Sequence, residues 1–150
     1  MTQTDATDAQ YLADYRPYPF VLAETRLVFD LDPAATEVRA SLSMQPRDGA
    51  ADLVLDGGGG LALLDLRIDG KAPDPAHVSR GLETLTISAA ALPDGPFTVD
   101  THVRIDPSAN TAFEGLYLSN GMFCTQCEAE GFRHITFYPD RPDVMTVFHV

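Results

Sequence analysis

Alternation of apolar and polar residues with a period of two is the feature that most limits how this chain can fold. It is clearest over residues 97–105. The apolar residues of that stretch fall on one face of an extended strand: Phe97, Val99, Val103 and Ile105. The polar residues fall on the other face: Thr98, Asp100, His102 and Arg104. One buried face and one wet face are typical of a strand in an antiparallel sheet.

The same pattern predicts two earlier strands, joined by a turn that begins at Asp32 and Pro33. The first strand is expected to point Leu27, Phe29 and Leu31 inward, and the second Val38, Ala40, Leu42 and Met44. Further strands are predicted at 53–55, 64–68 and 82–88, each followed by turn residues. Turn signals recur about every 10 to 15 residues, and no amphipathic helix of useful length is present. The predicted fold class is therefore all-β, as an antiparallel β-sandwich or a curved meander.

Length and charge restrict the organisation and the partners. The chain has 150 residues, enough for one domain, and a formal net charge of −12 that repels phosphate backbones and anionic lipids. We therefore expect neither a nucleic-acid nor a membrane partner. Because no long apolar run and no signal peptide is evident, we expect a cytoplasmic protein. The polar segment 1–16 is predicted to be a flexible arm, and 17–150 the folded domain.

The pattern changes after residue 110. Asn120 and Gly121 predict a hairpin with a type I′ turn, followed by an extended stretch up to residue 130. Residues 131–138 are predicted to hold one short helical turn, and residues 143–150 a final strand. An apolar strand that reaches the last residue suggests that the natural unit is longer and that the fold is truncated near its C-terminal end.

Two motifs invite chemical interpretations that their surroundings do not support. The glycines 57–60 lack the Lys, the Ser or Thr and the helix of a phosphate-binding loop, so a flexible hairpin loop is predicted. Cys124 and Cys127 have the spacing of a redox pair or half a zinc site, with His134 as a third candidate ligand. Small buried thiols are the prediction, and a small metal-binding protein that uses these three residues stays as an alternative.

Neither a His-Glu-x-x-His zinc motif nor a Gly-x-Ser-x-Gly nucleophile motif occurs in the sequence, so the chain carries no complete catalytic apparatus. A polar cluster remains at Gln126, Glu128 and Glu130, which would face the same side of an extended segment. Taken alone, the cluster is either a solvated acidic edge or a binding edge.

Two segments resemble the amino-terminal domain of the bacterial aminopeptidase N family, the alanyl aminopeptidases of the gluzincin class. They are Asn110-Thr-Ala-Phe-Glu-Gly-Leu-Tyr117 and Cys124-Thr-Gln-Cys-Glu-Ala-Glu-Gly-Phe-Arg-His-Ile-Thr-Phe-Tyr-Pro-Asp-Arg-Pro-Asp-Val144. Residues 14–16 and 25–31 fit the first strands of the same family. The resemblance implies a saddle-like β-domain packed against a thermolysin-like catalytic domain of the same parent chain.

The resemblance also implies a role for two residues. Glu128 would bind the α-amino group at the N-terminus of a peptide substrate, and Gln126 would line the pocket for the first residue. The zinc motif of the family lies beyond Val150, so zinc is implied in the full-length parent and none in this chain, which alone would be inactive. The rival hypothesis is a stand-alone β-sandwich binding or adaptor module without a catalytic role, whose polar edge meets a protein partner.

Overall fold

The computed structural model describes residues 11–47, 49 and 51–150. Within these residues, ten strands follow one another: β1 (Phe20–Asp30), β2 (Thr36–Pro46), β3 (Leu53–Asp56), β4 (Ala62–Ile68), β5 (Val78–Arg80), β6 (Thr84–Ile87), β7 (Phe97–Ile105), β8 (Gly115–Ser119), β9 (Met122–Gln126) and β10 (Val147–His149). Four short 3-10 helices lie at Leu12–Asp14, Pro75–His77, Ala89–Ala91 and Phe132–His134. The described residues contain no α-helix, and no helix there has the length and apolar character needed to cross a membrane.

The strands form two sheets and a separate hairpin. The larger sheet has the order β10-β1-β2-β7-β4, the smaller has the order β3-β6-β5, and β8 pairs with β9. All pairings are antiparallel except that of β10, which runs parallel to β1. One core joins both sheets, and eight of its fully buried members come from four strands: Val38, Leu42, Leu53, Leu55, Leu85, Ile87, Val99 and Val103. The prediction of an all-β sandwich is confirmed.

Period-two alternation placed the inward residues of β2 and β7 correctly, because both strands are regular along their whole length. The four apolar residues predicted for each are all buried. In β1 the prediction is correct for Leu27 and holds in part for Phe29, which is half-buried, but it is wrong for Leu31. Leu31 follows the end of the strand and is 52% exposed, because the next residue, Asp32, already turns the chain by accepting hydrogen bonds from the backbone N–H groups of Ala34 and Ala35.

The predictions for the last third of the chain hold in outline. Asn120 and Gly121 connect β8 to β9, and both have a positive φ, 50° and 80°, as a type I′ turn requires. The predicted helical turn is the 3-10 helix Phe132–His134, and the final strand is β10. β10 is shorter than predicted, and all three of its residues are exposed.

The predicted N-terminal arm lies partly outside the described residues, since residues 1–10 are not among them. Residues 11–16 are exposed, and two hydrogen bonds join them to the loop before β10. Tyr15 Oη donates to the Asp143 carboxylate at 2.9 Å, and Arg141 Nη2 donates to the backbone oxygen of Arg16 at 2.9 Å. The boundary between arm and domain at residue 16 stays a prediction.

Candidate functional site

Glu128 lies in a tight turn that follows β9 directly. The turn covers residues 127–131 and is closed by the Gly131 N–H, which donates to the Cys127 backbone oxygen at 3.0 Å. The peptide bond between Glu128 and Ala129 is cis, and Glu130 has a φ of 65°. Because the chain turns from Cys127 onward, the predicted extended stretch is wrong beyond Gln126, and Gln126, Glu128 and Glu130 do not share one face of a strand. The physical reason is that the partner strand β8 begins at Gly115, opposite Gln126, so the ladder ends there.

Two glycines let the backbone of this turn approach its neighbours closely. A Cβ atom on Gly131 would lie 2.6 Å from the Gln126 backbone oxygen and 2.8 Å from Cys127 Cα. A Cβ atom on Gly115 would lie 2.7 Å from His134 Cβ, and Gly115 also has a φ of 72°. Only glycine fits either position without moving the backbone around it.

The start of β8 is fixed by Asn110. Its side-chain amide donates to the backbone oxygens of Glu114 and Leu116, at 2.7 and 2.9 Å, and its Oδ1 accepts from the Phe113 N–H at 3.1 Å. One side chain thus satisfies two backbone groups of the loop that leads into the hairpin and one at the start of β8. The hairpin strand that pairs with β9 therefore enters in a defined position.

The two residues predicted for substrate binding, Gln126 and Glu128, are brought together by the structure, and both are exposed. Gln126 Nε2 donates to the backbone oxygen of Glu128 at 3.0 Å. Within the described part of the chain, no Lys, Arg or His nitrogen lies within 4.0 Å of the Glu128 carboxylate. The Glu128 carboxylate is thus free to meet a cation from outside the domain.

The second carboxylate of the turn, that of Glu130, has a cationic neighbour. Glu130 Oε1 lies 3.6 Å from Arg133 Nη2. Arg133 in turn directs both its backbone N–H and its Nε–H to Asp140 Oδ2, each at 3.1 Å. Sequence periodicity did not single out Arg133 or Asp140, and the only signal was that both lie inside the segment that carries the family resemblance.

The glycine run 57–60 has a packing role in this region. Gly57 and Gly58 are buried, the Gly58 N–H donates to the Arg133 backbone oxygen at 2.7 Å, and a Cβ atom on either glycine would collide with the ring of Phe137 or His134. The run also connects strands of two different sheets, β3 and β4. The prediction of a flexible hairpin loop is therefore wrong for Gly57 and Gly58, because close packing against the segment 131–138 requires them.

The cysteines do not assemble a metal site with His134. Both are free, half-buried thiols, and burial, with the nearby Asp140 charge, raises the pKa of the Cys127 thiol. His134 lies instead beside Glu114, with 3.3 Å between Nε2 and Oε2. Over residues 11–47, 49 and 51–150, no three His, Cys, Asp or Glu side chains are grouped so that they could hold a metal ion.

Comparisons with known proteins agree with one another. The chain is 49% identical over 148 residues to aminopeptidase N of Caulobacter vibrioides, covering 99% of this chain and 17% of that protein. It is 42% identical over 146 residues to aminopeptidase N of Escherichia coli, covering 97% of this chain and 16% of that protein. The chain thus spans about a sixth of the length of these curated relatives. No protein-family model matches it.

The solved structures include aminopeptidase A of Legionella pneumophila in complex with aspartic acid, at a TM-score of 0.81 and 28% identity over 93% of this chain and 16% of that one. An M1 zinc metallopeptidase of Deinococcus radiodurans has a TM-score of 0.71 at 14% identity, over 87% of this chain and 31% of that one, and shares the fold.

Proposed function

This chain belongs to the aminopeptidase N family as its amino-terminal β-domain, and we propose that it presents Glu128 to the α-ammonium group of peptide substrates. In this proposal the chain is one part of a zinc-dependent aminopeptidase that removes N-terminal residues from peptides. The domain anchors the substrate, and the rest of the parent cleaves the bond. The sequence identity over nearly the whole chain supports the assignment to such a parent.

The observation that carries the proposal is an exposed carboxylate without a partner on a closely packed turn. Glu128 has no cationic neighbour in the described residues, whereas Glu130, two positions later, lies beside Arg133. A carboxylate intended for a substrate must keep its charge free, because an internal ion pair would have to be broken before an ammonium group binds.

The physical requirement for an aminopeptidase is to recognise a charge that internal peptide bonds lack. At about 4 Å and an effective dielectric constant near 20, a carboxylate and an ammonium attract by about 4 kcal/mol before desolvation is subtracted. An internal amide in the same place would leave the carboxylate unpaired when the parent's cleft closes over it. Binding of the chain end is therefore favoured over binding of the chain interior.

The proposal also assigns a role to Gln126. Its amide nitrogen already donates to the Glu128 backbone oxygen, and the exposed side chain stands next to the proposed ammonium site. We assign it to the wall of the pocket for the first substrate residue. Its side-chain oxygen is the group that remains to accept a hydrogen bond there.

The donor atoms of this chain do not fit a zinc site, since no group of three ligands exists among the described residues. In the proposal the zinc ligands and the catalytic groups are therefore supplied by the remaining five-sixths or so of the parent. Exposed apolar side chains in the last third of the chain offer that part a surface on which to pack: Phe113, Met122, Met145, Val147 and Phe148.

The test is the change Glu128→Gln in the full-length enzyme, with an aminoacyl anilide as substrate. We expect KM to rise and kcat/KM to fall about 100-fold, because the anchor that holds the scissile bond in place is lost. Glu83→Gln is the matched control, since Glu83 is also exposed and its side chain has no ion pair in the described part of the chain. Unchanged kinetics in the Glu128 variant would remove Glu128 from the site.

A further inference from the structure

We infer that Arg133 and Asp140 are positioning residues, which hold the turn 127–131 so that the Glu128 carboxylate faces the substrate ammonium. The inference rests on the proposed function of Glu128. It concerns residues that touch neither the substrate nor the reacting bond, and it is argued from the hydrogen bonds that fix Arg133 to the core and the ion pair that joins Arg133 to the turn.

Asp140 is held by the smaller sheet, through Asp56. Asp56, the last residue of β3, exchanges two backbone hydrogen bonds with Tyr138, at 2.8 and 3.0 Å. The Asp56 carboxylate also accepts the backbone N–H of Asp140 at 2.9 Å. Leu53 and Leu55 of the same strand are fully buried, so the strand that holds Asp140 is part of the core.

Asp140, held in this way, in turn accepts hydrogen bonds that fix Arg133. Its Oδ2 accepts the backbone N–H and the Nε–H of Arg133, and its backbone oxygen accepts an N–H from Arg133 Nη2 at 3.1 Å. The two side chains are only 19% and 14% exposed. Two donors of the planar guanidinium, Nε and Nη2, are held in this way, and the backbone N–H of the same residue is held as well, so the Arg133 side chain has little rotational freedom left.

The guanidinium then reaches the turn itself. The Nη2 atom that donates to Asp140 also lies 3.6 Å from Glu130 Oε1. The Glu130 side chain is 68% exposed, so this contact adds nothing to the core. The contact between Arg133 and Glu130 instead restrains the turn two residues after Glu128. Two residues before Glu128, the Gln126 side-chain amide donates to the Glu128 backbone oxygen and restrains the turn there. Glu128 therefore stands between two restraints, of which Arg133 supplies one.

The test uses the full-length enzyme and two compounds that differ only in the α-ammonium group, leucinamide and 4-methylpentanamide, each competing with an aminoacyl anilide in initial-rate measurements, before any leucinamide is consumed. The ratio of their inhibition constants measures recognition of the ammonium alone. For Arg133→Lys, which keeps the charge and loses the planar fork, we expect this preference for leucinamide to fall about tenfold. For Glu130→Gln we expect a smaller loss, of about threefold. Inhibition by 4-methylpentanamide should stay unchanged in both variants.

A purely structural role would lower the amount of active enzyme without changing this ratio. Asp65→Asn is the matched control, because Asp65 forms an exposed ion pair with Arg67 at 2.7 Å on β4, in the other sheet. Glu130→Gln changes an exposed side chain, so it tests the inference even if Arg133→Lys fails to fold.

The variant Glu128→Gln distinguishes the proposed function of Glu128 from the positioning role of Arg133 and Asp140. If it abolishes the preference for leucinamide while Arg133→Lys or Glu130→Gln keeps it, the positioning role is wrong and the proposed function stands. If Glu128→Gln itself keeps the preference, the proposed function is wrong and the positioning role falls with it. We expect a reduced preference for leucinamide in all three variants, with the largest reduction in Glu128→Gln.

Discussion

Gly131 lies so close to Gln126 that a Cβ atom on the glycine would come within 2.6 Å of the Gln126 backbone oxygen. The turn that presents Glu128 is therefore closed by backbone packed on backbone, and no flexible side chain can move aside to make room. Cys127 Cα at 2.8 Å adds a second obstacle of the same kind.

We predict that Gly131→Ala lowers the free energy of unfolding of the 150-residue chain by about 1–3 kcal/mol, because the backbone of the turn must shift to admit the methyl group. Urea titration followed by circular dichroism measures the change. Gly59→Ala is the control, since nothing lies within 4 Å of its Cβ position, and we expect a change of less than about 0.5 kcal/mol. Equal stability of the two variants would contradict the close packing of the turn.

Asp143 predicts a dependence of stability on pH. Arg141 donates two hydrogen bonds to its carboxylate, at 2.8 and 2.9 Å, and Tyr15 donates one at 2.9 Å. With the Arg141 bonds as the main cause, the pKa of Asp143 is lowered from 3.8 to about 2. A depressed pKa means that the folded state favours the charged form. This contribution to stability is therefore fully present above about pH 4 and is lost as the pH falls towards 2.

The variant Asp143→Asn isolates that contribution. We expect it to be less stable than the unmodified chain at pH 6, and the difference between the two should shrink steadily between about pH 4 and pH 2. Thermal unfolding over this range measures it. A difference that is constant with pH would mean that the carboxylate charge is not what Asp143 contributes.

The isolated chain is expected to hydrolyse no aminoacyl anilide, because the proposed zinc ligands and catalytic groups belong to the rest of the parent. The assay compares the 150-residue chain with the full-length enzyme at equal molar concentration, with zinc added to both. If the short chain keeps its activity through repeated purification, the claim that the catalytic groups belong to the rest of the parent is wrong.

Several features of the fold were predictable because they depend on neighbours in the sequence. The inward residues of β2 and β7 follow from alternation alone, and the turn at Asn120 and Gly121 follows from the preference of these residues for a positive φ. The strand β5 (Val78–Arg80) was missed, because three residues that are half-buried or exposed leave no alternating pattern to detect.

The candidate site was predictable only in part. Glu128 and Gln126 were singled out through the family resemblance, and the structure joins them by a hydrogen bond. Their geometry was not predictable, since the extended stretch expected up to residue 130 ends at Gln126 and residues 127–130 belong to a turn. The pairing of β9 ends where β8 begins, and that limit depends on a residue eleven positions earlier in the chain, Gly115.

By itself, the sequence determined a two-faced β-sandwich, because a period of two sends alternate side chains to opposite faces through local backbone geometry. Only the tertiary structure decided why Gly57 and Gly58 must be glycines and what holds the turn of Glu128. Those answers depend on contacts such as that of Asp56 with Asp140, which are 84 positions apart. No local pattern encodes such a contact, because it exists only after the sheet and the final third of the chain have packed together.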